Sequence, residues 1–351
     1  MKGIMHRAVL TGLICILCAG TIFMAACSDD EEDSGNTSPT AAATHQAVGK
    51  TPVASSAPTV SASTTRTITD MRGKKVTIPN DPQRVITISR SLIDTTMYIL
   101  GVEDKIVGGS FYQKPIVMGE YVWNDTDYTV DTWIGRVINP ALNEVPNVGA
   151  LGTGPYGNVN IETIAKCEPD LLILRDMCEA VEDTDKFISQ VESLGIPVVV
   201  LKYLSCYDSP NVETMYEEVR LIGEIFKKET VAVKIVVTMQ KAVKTITDRT
   251  GNIPENERKS VLYFGAPTWA HKRGGVGYAF GPGTIEVALM ENMVNARNVY
   301  RDSGQNLISA EQMLALDPDV LILSTYSGHH PPRQLYEEAY ANIQGMRAIQ
   351  N

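Results

Sequence analysis

Residues 167–174 read "CEPDLLIL" and residues 316–323 read "LDPDVLIL". Each writes an acidic residue, Pro, Asp and then an apolar run. Proline stops a helix, because it lacks an N–H and its ring clashes with the preceding turn. A short apolar run after such a stop reads as a buried strand. Each phrase is therefore a helix-to-strand corner. Taken alone, the phrase is only a common way into a strand, but the flanks also match. "NIETIAKC" (160–167) and "SAEQMLAL" (309–316) precede the two corners as helices, and "DLLILR" (170–175) and "DVLILS" (319–324) follow as strands. The doubled corner predicts two comparable α/β lobes.

Working outward, "TITDMRGKKVTIP" (67–79) reads as two short strands around a turn at Arg72-Gly73. "RVITIS" (84–89) and "KIVGGS" (105–110) are strands with the helix "LIDTTMYILG" (92–101) between them. "EDTDKFISQVESLG" (182–195) is a helix and "IPVVVLKY" (196–203) a strand. Near the second corner, "SVLYFG" (260–265) is a strand, while "TIEVALMENM" (284–293) and "RQLYEEAYANIQGM" (333–346) are helices. Continuous apolar strands alternating with amphipathic helices imply an α/β fold with mostly parallel sheets covered on both faces. Residues 213–250 contain no Pro and only Gly223, so they read as one long helix joining the lobes. Residues 112–147 hold Trp123 and Trp133 without a clear period and read as an insertion.

The first residues stand apart. Lys2 and Arg7 precede an almost wholly apolar run, 8–26, which ends in Ala25-Ala26 before Cys27. This arrangement resembles a lipoprotein signal, with Cys27 as the lipid-modified first residue of the mature chain. An uncleaved anchor is the alternative, since about 19 apolar residues nearly span a bilayer. Either way, the rest of the chain is expected at the outer face of the cytoplasmic membrane. Residues 28–66 are rich in Ser, Thr, Ala, Asp and Glu without a period, a composition that cannot bury a core, so they read as a disordered tether.

A formal net charge of −10 argues against nucleic acid as a partner. Beyond Cys27 stand Cys167, Cys178 and Cys206, an odd number that implies no all-disulfide scaffold. Cys167 reads as a buried spare thiol. Cys178 and Cys206 each follow a strand of one βαβ unit. Free thiols are the default reading, because loop geometry is not legible here, and a disulfide is the alternative.

No catalytic motif stands out. "GGVGYAFGPG" (274–283) lacks the spacing and trailing Lys-Ser/Thr of a phosphate loop and reads as a flexible turn region. His329-His330 lacks ligand spacing, and a metal site from His271, His329 and Cys178 is set aside, so neither a resident metal nor a cofactor is expected. A binding cleft is the better reading, because ligands of open α/β sheets sit beyond the carboxyl ends of the strands. The candidates there are Arg90, Tyr112, Gly149, Arg175, Trp269, His271, Lys272, Arg273, Tyr326 and His329. Their aromatics suit a large chelate or macrocycle, and their cations suit carboxylates or an anionic complex.

The stretches "ITDMRGKKVTIPNDPQRVITIS", "VPNVGALG…NVNIETIAKCEPDLLIL", "LGIPVVVL" and "ISAEQMLALDPDVLIL" resemble the substrate-binding proteins of iron-siderophore, haem and cobalamin ABC importers. The resemblance covers roughly residues 67–349. It implies two α/β lobes (67–212 and 251–351) joined by the helix at 213–250, with the cleft between them. It further implies a monomer that carries a ferric siderophore, haem, corrinoid or an oxyanion such as molybdate to a permease dimer. A surface enzyme and a ligand sensor are the alternatives. In this family one glutamate on each lobe meets permease arginines, and Glu162 and Glu311 match that pattern. Their bland explanation is helix-dipole stabilisation in a first turn. Two departures from the family are the absence of a Gly-Gly pair in "MENMVNARNVY" (290–300) and an end at Asn351, where the family continues with a strand and terminal helices. The second lobe is accordingly expected to be incomplete or the chain a fragment.

Overall fold

The structure is a computed structural model, which describes residues 64–89, 92–110, 117–123, 126–131, 139–149, 159–178, 181–265, 277–324, 346 and 348. The first lobe opens with β1 (Thr65–Thr69) and β2 (Lys75–Pro79), an antiparallel pair around the predicted turn. Gly73 takes φ 77 there, a left-handed value natural to glycine. Buried Asp70 organises the turn, accepting from the backbone N–H groups of Arg72, Lys74 and Val200 and pairing with the Arg72 guanidinium at 2.6 Å.

Behind this hairpin lies a four-stranded parallel sheet in the order β4-β3-β7-β8. Its strands are β3 (Val85–Ile88), β4 (Ile106–Gly109), β7 (Leu171–Asp176) and β8 (Val198–Lys202). Alternate residues of "LLIL" serve opposite faces. Leu171 and Ile173 pack with Ile93, Met97, Tyr216 and Ile222, while Leu172 and Leu174 pack with Ile164, Phe187 and Val191. Those partners come from α1 (Leu92–Leu100) and α4 (Glu213–Ile225) on one face, and from α2 (Ile161–Lys166) and α3 (Val181–Ser193) on the other. Burial on both faces explains a run with no polar break, each such side chain contributing about 1.5–3 kcal/mol. The insertion is not irregular throughout: β5 (Val117–Trp123) and β6 (Thr126–Asp131) form an antiparallel pair.

The two corners are built alike. Glu168 (φ 45) and Asp317 (φ 36), each just before its proline, both turn left-handed. In the first lobe Asp170 accepts from the N–H groups of Gln83 and Arg84 at 2.8 and 3.0 Å, at the entrance to β3. In the second, Asp319 accepts from the N–H and hydroxyl of Ser260 at 2.9 and 2.7 Å, at the entrance to β9 (Ser260–Gly265). β7 then pairs parallel with β3, and β13 (Val320–Ser324) with β9. The "PD" aspartate thus clamps the start of the neighbouring strand in each lobe, beyond merely flanking a turn.

The single helix expected over 213–250 is two helices, α4 and α5 (Glu229–Thr250). The chain reverses through Phe226–Lys228, with Lys227 at φ 55. Lys228 N–H reaches Gly223 C=O at 2.7 Å and Lys227 N–H reaches Glu224 C=O at 3.2 Å, the bond pair of a Schellman stop. A lysine fills the place where glycine is usual, so no helix-breaking residue marks the end. Arg66 adds bonds to the carbonyls of Glu224 and Ile225. A Cβ on Gly223 would meet the Ala232 methyl at 2.4 Å, so only glycine lets the helices approach this closely. Of these two helices, α5 is the one that reaches from the first lobe's core to the second sheet's surroundings. Ala232 and Val236 sit in the first lobe's core. At its other end Thr250 donates to Met293 C=O at 3.2 Å, and Asn295 donates to Thr250 C=O at 2.8 Å.

The second sheet is mixed. β9 runs parallel to β13 and β11 (Arg297–Asn298) and antiparallel to β10 (Gly277–Phe280), which pairs antiparallel with β12 (Gln305–Ile308). The glycine-rich stretch read as a flexible turn is in part the wholly buried strand β10. A Cβ on Gly277 would meet the Phe264 ring at 2.3 Å, so this glycine makes room for an aromatic neighbour. Helices α6 (Ile285–Asn292) and α7 (Ala310–Leu316) complete the described part of this lobe. Among the described residues, no helix is long and apolar enough to cross a membrane.

Candidate ligand-binding site

The carboxyl ends of β3, β4, β7 and β8 lie along one edge of the first sheet, as parallel strands require. Beyond β4, Ser110 N–H bonds to Thr87 C=O at 2.9 Å, and Val148 N–H bonds to Gly109 C=O at 2.9 Å. Gly149 therefore stands at this edge, with φ 85 and its N–H on the Asn147 side-chain oxygen at 3.0 Å.

Arg175 also stands there, though not as the free cation expected from sequence. It is buried, and its Nε and a terminal nitrogen donate to the two carboxylate oxygens of Glu218 at 2.5 and 2.7 Å. Its guanidinium carbon lies 4.4 Å from the Tyr203 ring centroid. Burial raises the Glu218 carboxyl above its ordinary range, and the hydrogen bond and charge of Arg175 oppose that rise. The charge of Arg175 is therefore largely answered from within the protein.

Below the edge lies a group that sequence reading did not single out. Asp94, in the first turn of α1, is 3% exposed and accepts from the Thr87 hydroxyl. Burial pushes its carboxyl up to about 7, against hydrogen bonds from Thr87, its own N–H and Ser89. In the sequence it looks like any acid in a helix's first turn, and burial alone sets it apart.

Cys178 and Cys206, after β7 and β8, form a disulfide with Cα atoms 5.2 Å apart. The free-thiol default is overturned because Tyr203 N–H bonds to Asp176 C=O at 2.9 Å, drawing the two strand ends together. Cys167 is free and buried, as expected. Among the described residues, Asp176, Cys178 and Cys206 are the group whose ligand atoms converge, all within 4.8 Å of one another.

Glu162 and Glu311 occupy matching places, each the second residue of its helix. Asn160 caps one by accepting from Thr163 N–H, and Ser309 caps the other in a capping box with Gln312. Both glutamates are exposed. Each helix ends at a corner feeding the start of a strand, so its first turn stands toward the carboxyl edge of its own sheet. The helix N–H and the Ser309 hydroxyl hold the Glu311 carboxyl below its ordinary range, so it is ionised at neutral pH. Arg90, Tyr112, Trp269, His271, Lys272, Arg273, Tyr326, His329 and Cys27 lie outside the described residues.

A family model described as "Periplasmic binding protein" matches residues 89–334, a span that contains both corners. An uncharacterized ABC transporter substrate-binding lipoprotein of Bacillus subtilis is 25% identical, over 73% of this chain and 68% of its own length. The molybdate-bound structure of the molybdate-binding protein MolA of Haemophilus influenzae superposes with TM-score 0.59 at 20% identity, covering 81% of each chain. An ABC-type Fe3+-hydroxamate transport structure from Saccharomonospora viridis gives TM-score 0.52 at 24% identity, over 82% of this chain and 88% of that one.

Proposed function

The chain belongs to the periplasmic binding protein family, and from that premise we propose that it captures a metal complex outside the cell and delivers it to an ABC importer. The observation that carries this reading is the family match running through both lobes. The Bacillus subtilis relative, described as a substrate-binding lipoprotein, supports the importer role and the lipid anchor at Cys27. The cargo class is a ferric siderophore, haem, corrinoid or metal oxyanion. It is supported by the molybdate and Fe3+-hydroxamate proteins that share the fold.

The cargo lies between the carboxyl edges of the two sheets. Gly149 lets backbone approach it, and Tyr203 over Arg175 offers a flat platform. Arg175 is already paired with Glu218, so the charge that selects an anionic complex comes from Arg90 in the first lobe and from Lys272 and Arg273, beside Trp269 and His271, in the second. Glu162 and Glu311 meet basic residues of the two permease subunits, one per lobe.

Native mass spectrometry and absorption spectra of protein purified from its own host test this reading. A bound metal complex supports it. Bare protein that also fails to bind ferric hydroxamate, haem, corrinoid and molybdate in calorimetry rejects the cargo class. Chemical turnover of a bound complex would instead place the protein among surface enzymes.

A further inference from the structure

We propose that Asp176, Cys178 and Cys206 form a redox-gated site for a thiophilic divalent cation of the zinc class. The Cys178 N–H holds one carboxylate oxygen of Asp176 at 2.9 Å. The other oxygen is thereby turned toward Cys178 Sγ, 3.6 Å away. A tetrahedral zinc site with bonds of about 2.3 Å to sulfur and about 2.1 Å to oxygen has a sulfur–oxygen edge of about 3.6 Å. One edge of the coordination polyhedron is therefore already in place. The carboxylate is oriented by a backbone hydrogen bond, as ligands commonly are by their outer partners. The sulfur–sulfur edge must open from bonded to about 3.8 Å, and the edge from Cys206 Sγ to the Asp176 carboxylate, within 4.8 Å, must settle near about 3.6 Å; side-chain rotation on Cα atoms 5.2 Å apart accommodates both. All three residues are partly exposed, so a cation has a path in, and three protein ligands leave a fourth position for water.

The gate is the disulfide. An external dithiol supplies two electrons and two protons, breaking the sulfur–sulfur bond and leaving as its own disulfide. The two thiols then release two protons to solvent as the cation binds both thiolates. In the oxidised state the sulfurs have no charge to offer, and the site is closed.

Cobalt(II) is the probe, titrated into the full chain before and after phosphine reduction. A thiolate-to-cobalt charge-transfer band is expected only after reduction, at one equivalent, and zinc should displace it. The Cys178→Ser/Cys206→Ser chain controls for Cys15, Cys18, Cys27 and Cys167 and should lack that band. Asp176→Asn should keep the band and weaken cobalt by at least about tenfold. The proposal is overturned if reduced wild type shows no band beyond the double variant, or if oxidised protein gives the same band. Loss of the native far-UV spectrum on reduction overturns it as well, because the site needs the β7–β8 frame.

Discussion

Arg175 and Glu218, 43 positions apart, close a two-point ion pair, with side chains 6% and 0% exposed. Removing one partner strands the other charge away from water. Arg175→Ala or Glu218→Ala is expected to lower unfolding stability by roughly 3–5 kcal/mol, and Arg175→Met with Glu218→Leu to recover most of that loss. Urea denaturation of the three variants checks it. A single variant as stable as wild type would mean the pair is not formed in solution.

Asp94 makes stability depend on pH. Its folded pKa of about 7 lies above the ordinary 3.8, so between these values the folded state holds a proton that the unfolded chain has lost. Stability should therefore fall as pH rises from about 4 to 7, by up to roughly 4 kcal/mol from this group alone. Asp94→Asn keeps an oxygen for the Thr87 hydroxyl and should flatten that part of the profile. Thermal unfolding at pH 5 and pH 8 for both chains measures the difference. Parallel profiles would exclude Asp94 as the source.

The doubled aspartate should behave as a doubled clamp. Asp170→Ala removes the acceptor for two N–H groups, and Asp319→Ala does the same for the N–H and hydroxyl of Ser260. Each is expected to cost about 1.5–3 kcal/mol, the scale of hydrogen bonds to a charged group. Backbone hydrogen exchange should quicken locally, at 83–84 in the first variant and at Ser260 in the second.

Lys227 holds a left-handed backbone that glycine adopts without a Cβ penalty. Lys227→Gly should raise stability by about 1 kcal/mol, since the reversal between α4 and α5 is fixed by packing whatever residue sits there. A fall in melting temperature would contradict this account of the turn.

Glu162→Arg combined with Glu311→Arg should abolish uptake and stimulation of the transporter ATPase. Cargo affinity should stay within about twofold, because both carboxylates are exposed and neither is among the residues read as cargo contacts. Transport at the wild-type rate would dismiss these two residues as docking points.

Most strands and helices of the first lobe were legible because their signals are local. An unbroken apolar run, a proline stop and a polar helix face say what they form wherever the chain goes next. The two "PD" corners announced two α/β lobes by the same logic, and the family resemblance rested on those same stretches. Legibility failed where a local cue was absent or pointed elsewhere. The α4–α5 reversal uses lysine in place of glycine, so helix-forming residues run straight through it. The second sheet takes in β10, whose glycine-rich surroundings suggested a loop, because Gly277 leaves space for Phe264. Side-chain roles were hardest of all, since a role depends on which distant groups arrive. Arg175 reads as a free cation until Glu218 is brought from α4, and Asp94 reads as a surface acid until the sheet buries it. Cys178 and Cys206, 28 positions apart, read as free thiols until strand pairing aligns their backbones. Sequence by itself determined most strands and helices of the first lobe and the repeated corner that announces two lobes. Tertiary structure alone decided which charges are answered, which acid is dry and which sulfurs meet, because burial and long-range contact belong to no single stretch of chain.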